Sequence, residues 1–555
     1  MNPLEKIRPD IASSAKPIKS AELYAARNEF EPFQIALRSE RGDAAGIDAD
    51  AGDLRNGSGG TISRQNITIY FEKFVNVTKP SLEGGAKGLW PDPLVPRVDR
   101  YANEKRNAFP FTLHQGQTQP LWVEVFVPET TRPGSYSGSV DITAQGALIE
   151  SIPIHLHVWA FTLPATSTLK TSFGLNGSSL LKEHRGRYTD DEDLYELTRL
   201  YQEAALMHRI STNGGTMVPP KYAPGGAVAR LDWHAYDHEV GPFLDGTAIP
   251  ADAPLHGARA TSVDLRTPGH FGSPDEQLSY WRAWVKHFHE KGWSDRLFLY
   301  LWDEPSIADY QKVLDRGHAA LQADSSIRSL VTVPFNKRLA DVVQIWTPLV
   351  NCLEQKPGFD NFCMEAPSLD AYTSEVKHGK SLWFYQSCAS HGCNGAGGAY
   401  FHGWPSYMID ESGAGNRVMP WVAWKLQIEG ELYYSMNESF GSGKDPWDNV
   451  LLFGGNGDGT LFYPGRPDRI GGHSDIPIES IRLKLIREGM EDYEYLALLA
   501  KVAGNEQADE FAERIVTKPY VWESDSSRFL AVRQAMGETL NRLASDRSGA
   551  RRDAQ

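Results

Sequence analysis

From about residue 167 the apolar pattern switches repeatedly between strand-like and helix-like spacing. That alternation points to one kind of architecture, a parallel sheet with helices on its faces. Strand patterns fall at 170–175, 210–213, 297–302, 329–333, 350–353, 381–385 and 431–434, with helical ones at 191–207 and 275–291 among them. The stretch 216–267 is irregular and rich in Gly, Pro and Asp, and no strand can be placed in it. If it contributes one, the run at 297–302 is the fourth of eight. Eight strands separated by helical segments make a (β/α)8 TIM barrel, whose chemistry gathers at the carboxyl ends of the strands. Helical patterns at 478–502 and 526–544 close the chain against or beside it.

The chain up to residue 166 has a different rhythm. Short alternating segments such as Gln34-Ile35-Ala36-Leu37-Arg38 and Leu121-Trp122-Val123-Glu124-Val125-Phe126-Val127 are separated by turn signals, Pro133-Gly134 among them, which is the pattern of a β-sandwich. Leu163-Pro164-Ala165-Thr166-Ser167 reads as a hinge. The expected class is therefore multidomain β plus α/β: a β-sandwich over 1–166, a catalytic barrel over 167–505 and a C-terminal helical segment over 506–555, within the two or three domains that 555 residues suggest.

The formal charge of -15 argues against a polyanion partner, so no nucleic acid is expected, and a neutral or cationic substrate fits better. No apolar run is long enough to span a bilayer, and Met1-Asn2-Pro3-Leu4-Glu5-Lys6 lacks the apolar core of a signal peptide. A cytoplasmic chain and a secreted one whose leader has been removed both fit, and the oligomeric state is not readable. The aromatic content, with 15 Trp and 22 Tyr, suits either stacking on sugar faces or a Trp-rich core. Cys352, Cys363, Cys388 and Cys393 allow two disulfides or four thiols. Cys388-Ala-Ser-His391-Gly-Cys393 matches no usual zinc spacing, so neither metal nor other cofactor is expected.

The fourth strand run continues as Leu301-Trp302-Asp303-Glu304-Pro305, placing two adjacent acids at a strand's carboxyl end. Buried side by side, they would titrate as a coupled pair with one pKa raised, which is what acid-catalysed glycoside cleavage needs. The plainer reading makes Asp303 a helix cap and leaves Glu304 solvated. An ordinary retaining glycosidase needs a second carboxylate about 5 Å across the sugar. The seventh strand, Leu382-Trp383-Phe384-Tyr385-Gln386-Ser387, offers none, and Glu438 and Glu411 are the nearest substitutes. The adjacent pair makes sense if the substrate's own 2-acetamido carbonyl is the nucleophile. Glu304 would then be acid and base, Asp303 the acetamido orienter and Tyr385 the holder of the carbonyl oxygen. Trp383, Trp302 and Trp447 are candidate sugar contacts and Asn437 a candidate hydroxyl ligand, whereas Trp421 and Trp424 at helical spacing should pack. Gly454-Gly455-Asn456-Gly457-Asp458-Gly459 lacks the strand and helix of a phosphate loop and reads as a tight turn.

Three C-terminal motifs carry a family likeness: Pro446-Trp447 with Asn456-Gly457-Asp458-Gly459-Thr460-Leu461-Phe462-Tyr463-Pro464-Gly465, then Ile478-Glu479-Ser480-Ile481-Arg482-Leu483, then Arg487-Glu488-Gly489-Met490-Glu491-Asp492-Tyr493-Glu494-Tyr495. Together they resemble the catalytic domain called domain of unknown function 4091, found in glycoside hydrolase family 123. Arg27-Asn28-Glu29-Phe30-Glu31-Pro32-Phe33-Gln34 is similar to the sandwich opening of the same relatives. The resemblance implies a sandwich fused to a (β/α)8 barrel and an exo-acting, retaining β-N-acetylgalactosaminidase. Such an enzyme works through an oxazolinium intermediate with an adjacent Asp-Glu pair, which Asp303 and Glu304 match. Two other readings stay open: a glycosidase on sugars without an acetamido group, furanosides included, with a separate carboxylate nucleophile; and a non-catalytic carbohydrate-binding protein.

Overall fold

A computed structural model describes the chain except for residues 11–18, 83–84, 188–190, 214–218, 224–227, 360–362, 364–366, 394–397 and 553–555. The N-terminal region holds two sheets. The larger runs Ala21–Arg27, Ala147–Thr162, Gly134–Ala144, Ala44–Ala51, Phe111–Leu113 in spatial order, with two short strands at its side. The other is four-stranded and orders Glu29–Arg38, Thr118–Val127, Ile67–Val77, Gly88–Pro96. Alternation along each strand turns one apolar set inward: Leu23, Ile47, Val140 and Leu156 meet Phe33, Ile35, Ile69 and Val123 in one core.

The C-terminal region is built on an eight-stranded sheet. Its spatial order is Thr212–Asn213, Lys170–Gly174, Gly430–Tyr433, Ser381–Gln386, Ile345–Trp346, Ser329–Val331, Leu297–Trp302, Val263–Asp264. Every neighbouring pair is parallel. Numbered in chain order from Lys170–Gly174, the sheet's edges are the second and third strands. They are joined just before their first residues by side chains: the Thr261 N–H donates to Ser211 Oγ at 2.7 Å, and the Ser211 and Thr261 hydroxyls lie 3.0 Å apart. The sheet is thus a nearly closed barrel.

Two strands differ from the sequence expectation. The third, Val263–Asp264, lies inside the irregular stretch and is too short to show a period. The sixth is Ile345–Trp346, while Val350–Cys352, read as strand, is a 3-10 turn. Leu349 and Cys352 face the barrel interior and Val350 and Leu353 the outer layer, so the apolar run is buried with a period near three rather than two.

Alternation also sorts the barrel wall. Leu299, Leu301, Leu382 and Phe384 pack outward on the helices, whereas Phe298, Trp383, Tyr385 and Leu432 fill the interior with Tyr300 packed against them. A Cβ on Gly430 would meet the Trp383 ring at 2.4 Å, so Gly430→Ala is expected to lower stability by about 1–3 kcal/mol in a denaturant titration. An unchanged midpoint would mean that the ring can shift.

The helix Ile481–Ala503 is buried along most of its length because it is wedged between the barrel and the N-terminal sheets. Arg482 pairs with Asp92 at 2.8 Å, and Arg487 and Lys484 pair with Glu124, all across to the N-terminal sheets. The helices Asn505–Ile515 and Ser526–Arg552, with a small hairpin between them, complete the chain. The four cysteines form two disulfides, Cys352–Cys363 and Cys388–Cys393, in the segments after the sixth and seventh strands. Among the described residues no helix is long and apolar enough to cross a membrane.

Candidate active site

Asp303 and Glu304 follow directly on the fourth barrel strand, whose last inward residue is Tyr300, three positions before Asp303. The Tyr300 hydroxyl donates to Asp303 Oδ1 at 2.7 Å, and the Thr332 hydroxyl, from just beyond the fifth strand, donates to the same oxygen at 3.0 Å. Thr332 Oγ1 in turn accepts the Glu304 N–H at 2.8 Å. From the seventh strand the Tyr385 hydroxyl donates to Glu304 Oε1 at 2.6 Å. Both carboxylates are exposed, so the side-by-side burial expected from sequence does not occur. The capping role does not fall to Asp303 either: the helical turn after Pro305 is capped by Ser306 with Asp309.

The two phenols are held protonated. Burial pushes the Tyr385 hydroxyl well above its ordinary value, and its hydrogen bond to Glu304 adds to that; burial does the same for Tyr300, with the Asp303 charge beside it. Each tyrosine is therefore a fixed proton donor over the working pH range. Glu304 itself has φ +42°, a left-handed conformation that is costly for a residue with a side chain.

The structure sorts the other sequence candidates. Tyr385 reaches the pair. Trp383, two residues earlier on the same inward face, is buried in the barrel interior against Phe298 and offers no platform. Trp302 packs on the outer core with Lys312 Nζ 6.0 Å from its ring centre, because the pairing register shifts between Tyr300 and Trp302. Asn437 is fully buried, and its amide bridges the backbone N–H and C=O of Asn176, so it ties the first strand's loop to the eighth's. Trp447 donates to the Pro464 carbonyl at 2.9 Å, with Lys73 over its ring, at the join to the N-terminal sheets. Trp421 and Trp424 pack, as their spacing suggested, with indole N–H groups on Asp492 and Asp509.

Neither substitute carboxylate is hydrogen-bonded to the pair or its tyrosines among the described residues. Glu411 accepts the Ser412 N–H at 2.7 Å, and burial raises its pKa. Glu438 lies beside Tyr434 and Gly459. His391 contacts Asp458 at 3.0 Å, and no group of three metal-ligating side chains occurs among the described residues. The Gly454 region is a hairpin turn in which Phe453 and Gly454 both have positive φ, +48° and +89°.

Tyr300 and Thr332 are site residues that the sequence pattern did not single out. Strand alternation contains a signal for the first, since residue 300 must share the inward face of residue 298. The second follows from neighbouring order alone: the end of strand five must lie beside the end of strand four.

Sequence comparison with family models gives a match over residues 7–144 to the glycoside hydrolase 123 N-terminal domain, and over 277–499 to the glycoside hydrolase 123 catalytic domain. Among solved structures, a family 123 glycoside hydrolase from Clostridium perfringens, studied for glycolipid glycan hydrolysis, shares the fold. Its TM-score is 0.66 at 14% identity, covering 95% of this chain and 94% of that one. A Bacteroides ovatus family 5 xyloglucanase is far more distant, with TM-score 0.30 and 9% identity over 85% of this chain and 98% of that one. A family 39 glycoside hydrolase from Bacteroides cellulosilyticus, with TM-score 0.31 and 10% identity over 84% and 81%, is equally remote. No curated protein matches the sequence. An acid pair at the mouth of a parallel barrel, inside a matched catalytic domain, defines a glycoside hydrolase. Both matched domains come from one family, and the chain belongs to glycoside hydrolase family 123.

Proposed function

We propose that the protein is an exo-acting, retaining hydrolase of terminal N-acetylated amino sugars, β-N-acetylgalactosaminide-like, in which the substrate's acetamido group is the nucleophile. The observation that carries this reading is the unequal dressing of two adjacent acids. Two hydroxyls donate to one oxygen of Asp303 and fix it as an acceptor, while among the described residues the Glu304 side chain accepts the Tyr385 phenol alone and is otherwise exposed.

In this mechanism Glu304 protonates the glycosidic oxygen as the acetamido carbonyl oxygen attacks the anomeric carbon. The aglycone leaves with that proton, and an oxazolinium ring closes. Asp303 accepts the acetamido N–H, orients the group and stabilises the positive charge that develops on it. Ionised Glu304 then takes a proton from water, which attacks the anomeric carbon and reopens the ring, so configuration is retained. Tyr385 is already a donor in the free enzyme. With substrate bound, its proton is free to turn from Glu304 to the carbonyl oxygen, holding that oxygen in line. We read the scaffold as a β-sandwich over 1–166, a (β/α)8 barrel over 167–505 and a helical segment over 506–555. The Clostridium perfringens relative, described in terms of glycolipid glycan hydrolysis, supports a glycan as the substrate class.

The test compares aryl β-N-acetylgalactosaminide with aryl β-galactoside, using wild type and Asp303→Asn. Wild type should cleave the acetamido sugar alone. Asp303→Asn should lose about 10²–10³-fold in kcat, because the orienting charge is gone while the acid remains. Equal cleavage of both sugars by wild type would end the substrate-assisted reading and turn attention to a separate carboxylate nucleophile. A Tyr385→Phe variant should lose about 10-fold or more in kcat with the acetamido substrate and change little in thermal midpoint, since only one hydroxyl is removed.

A further inference from the structure

We propose that Thr332 is a positioning residue whose single hydroxyl sets both acids at once. Its Oγ1 donates to Asp303 Oδ1 at 3.0 Å and accepts the Glu304 N–H at 2.8 Å. The first bond fixes how the Asp303 carboxylate is rotated. The second holds the Glu304 backbone at φ +42°, from which a glutamate would otherwise relax, because left-handed backbone is unfavourable for a residue with a Cβ. A strained conformation persists where its surroundings over-determine it, and here the restraint is visible as one named atom pair.

The side chain suits that task. Thr332 is buried, and a β-branched residue has few χ1 choices, so its oxygen is delivered in one direction. It sits one residue past the fifth strand, and the pairing irregularity between Tyr300 and Trp302 brings the turn after the fourth strand against it. Tyr300 cannot replace it. The tyrosine hydroxyl reaches Asp303 at 2.7 Å and Thr332 at 3.3 Å, but no bond links it to the Glu304 backbone. Thr332 therefore couples the orientation of the acetamido orienter to that of the acid/base. Rotating one without the other would misalign proton delivery with carbonyl attack, and misplacement by about 1 Å is worth on the order of 10²-fold in rate. This inference rests on the roles given above to Asp303 and Glu304.

The variants are Thr332→Val, which keeps shape and removes the hydroxyl, Thr332→Ser, which restores the hydroxyl, and Tyr300→Phe as the comparison that leaves the Glu304 N–H bonded. On the aryl N-acetylgalactosaminide, Thr332→Val should lose about 10²-fold in kcat with KM within about threefold of wild type. Thr332→Ser should recover to within about fivefold, and Tyr300→Phe should fall less than the valine variant. Wild-type kcat in Thr332→Val, or a serine variant as slow as the valine one, would overturn the proposal. A crystal structure of Thr332→Val provides a readout independent of turnover. The Asp303 carboxylate should be turned and Glu304 should leave its positive φ; both acids superposing on wild type would overturn the positioning role whatever sugar the enzyme cleaves. If wild type proves inactive on acetamido sugars while the valine crystal shows the displaced acids, the substrate reading falls and the positioning role stands.

Discussion

Glu304→Gln is expected to lower kcat for an unactivated N-acetylgalactosaminide by about 10³-fold or more, at the upper end of what general acid-base catalysis contributes, while leaving the folded structure intact. The side chain is exposed and its one described hydrogen-bond partner is the Tyr385 phenol, which an amide oxygen accepts equally well, so the substitution removes a proton and little else. The loss has two components. Departure of a poor leaving group needs a proton in the first step, and attack of water needs a base in the second. An aryl leaving group with a low pKa departs without help, so its first step should be nearly wild type and the second should limit, giving a burst of released phenol followed by slow turnover. Equal, large losses for good and poor leaving groups without a burst would show that Glu304 acts elsewhere, as a nucleophile or a binding group. Retained turnover on both would remove Glu304 from the chemistry altogether.

The features of this picture that were legible in sequence are those carried by period and position. The inward and outward faces of the fourth strand up to Leu301 and of the seventh follow from alternation, and Asp303 and Glu304 stand out because two adjacent acids directly follow an apolar strand. Tyr385 was reachable for the same reason, as an inward residue near a strand end. What failed was reading aromatic platforms from proximity to such ends. Trp383 and Tyr385 share a face and are two residues apart, yet one fills the interior against Gly430 while the other reaches the acids, because depth along the strand, not identity, decides which side chain meets the pair. Asn437 failed for another reason: a buried amide that closes a loop on Asn176 looks, in sequence, the same as one that waits for a sugar. Thr332 is contributed by the neighbouring strand, at no sequence distance a motif would record.

The motifs that carried the family likeness turn out to lie largely away from the acid pair. Asn456 donates to the Lys79 carbonyl and to Asp410, and Arg482 and Arg487 reach Asp92 and Glu124. Those residues hold the N-terminal sheets on the barrel, a task that demands particular charges in particular places. The match of the family models to both regions of the chain is in keeping with a pairing that is built in rather than a loose tether.

The strength of that seat gives the second large effect. Around the helix Ile481–Ala503 the acids Glu29, Glu31, Glu124, Glu479, Glu488, Glu491 and Asp492 meet the cations Arg209, Arg417, Lys484, Arg487 and Arg533, all of them buried except the partly exposed Glu31. Burial opposes ionisation of Glu124, but Arg487 and Lys484 hold it well below the usual carboxylate range. Removing one of its two cations leaves buried Glu124 under-compensated with Lys484 alone, so Arg487→Met should cost about 3 kcal/mol at pH 7 by denaturant midpoint, and adding Glu124→Leu should recover much of it because Lys484 keeps Glu479. The deficit should shrink towards pH 4, where the under-compensated Glu124 can take a proton. Acids outnumber cations in the cluster, and the surplus sits on Glu488 and Glu491, which burial raises to about 7, the Glu491 charge adding to it at Glu488 and the Glu29 charge at Glu491. With folded pKa values above the unfolded 4.5, these two groups bind more protons folded than unfolded between those limits, so their contribution falls as pH rises through about 7 and the penalty persists above it. Glu488→Gln should accordingly be near neutral at pH 5 and stabilising at pH 8, by on the order of 2 kcal/mol. A variant that loses stability at pH 8 would show Glu488 to be ionised there and paired with Arg417 and Arg487.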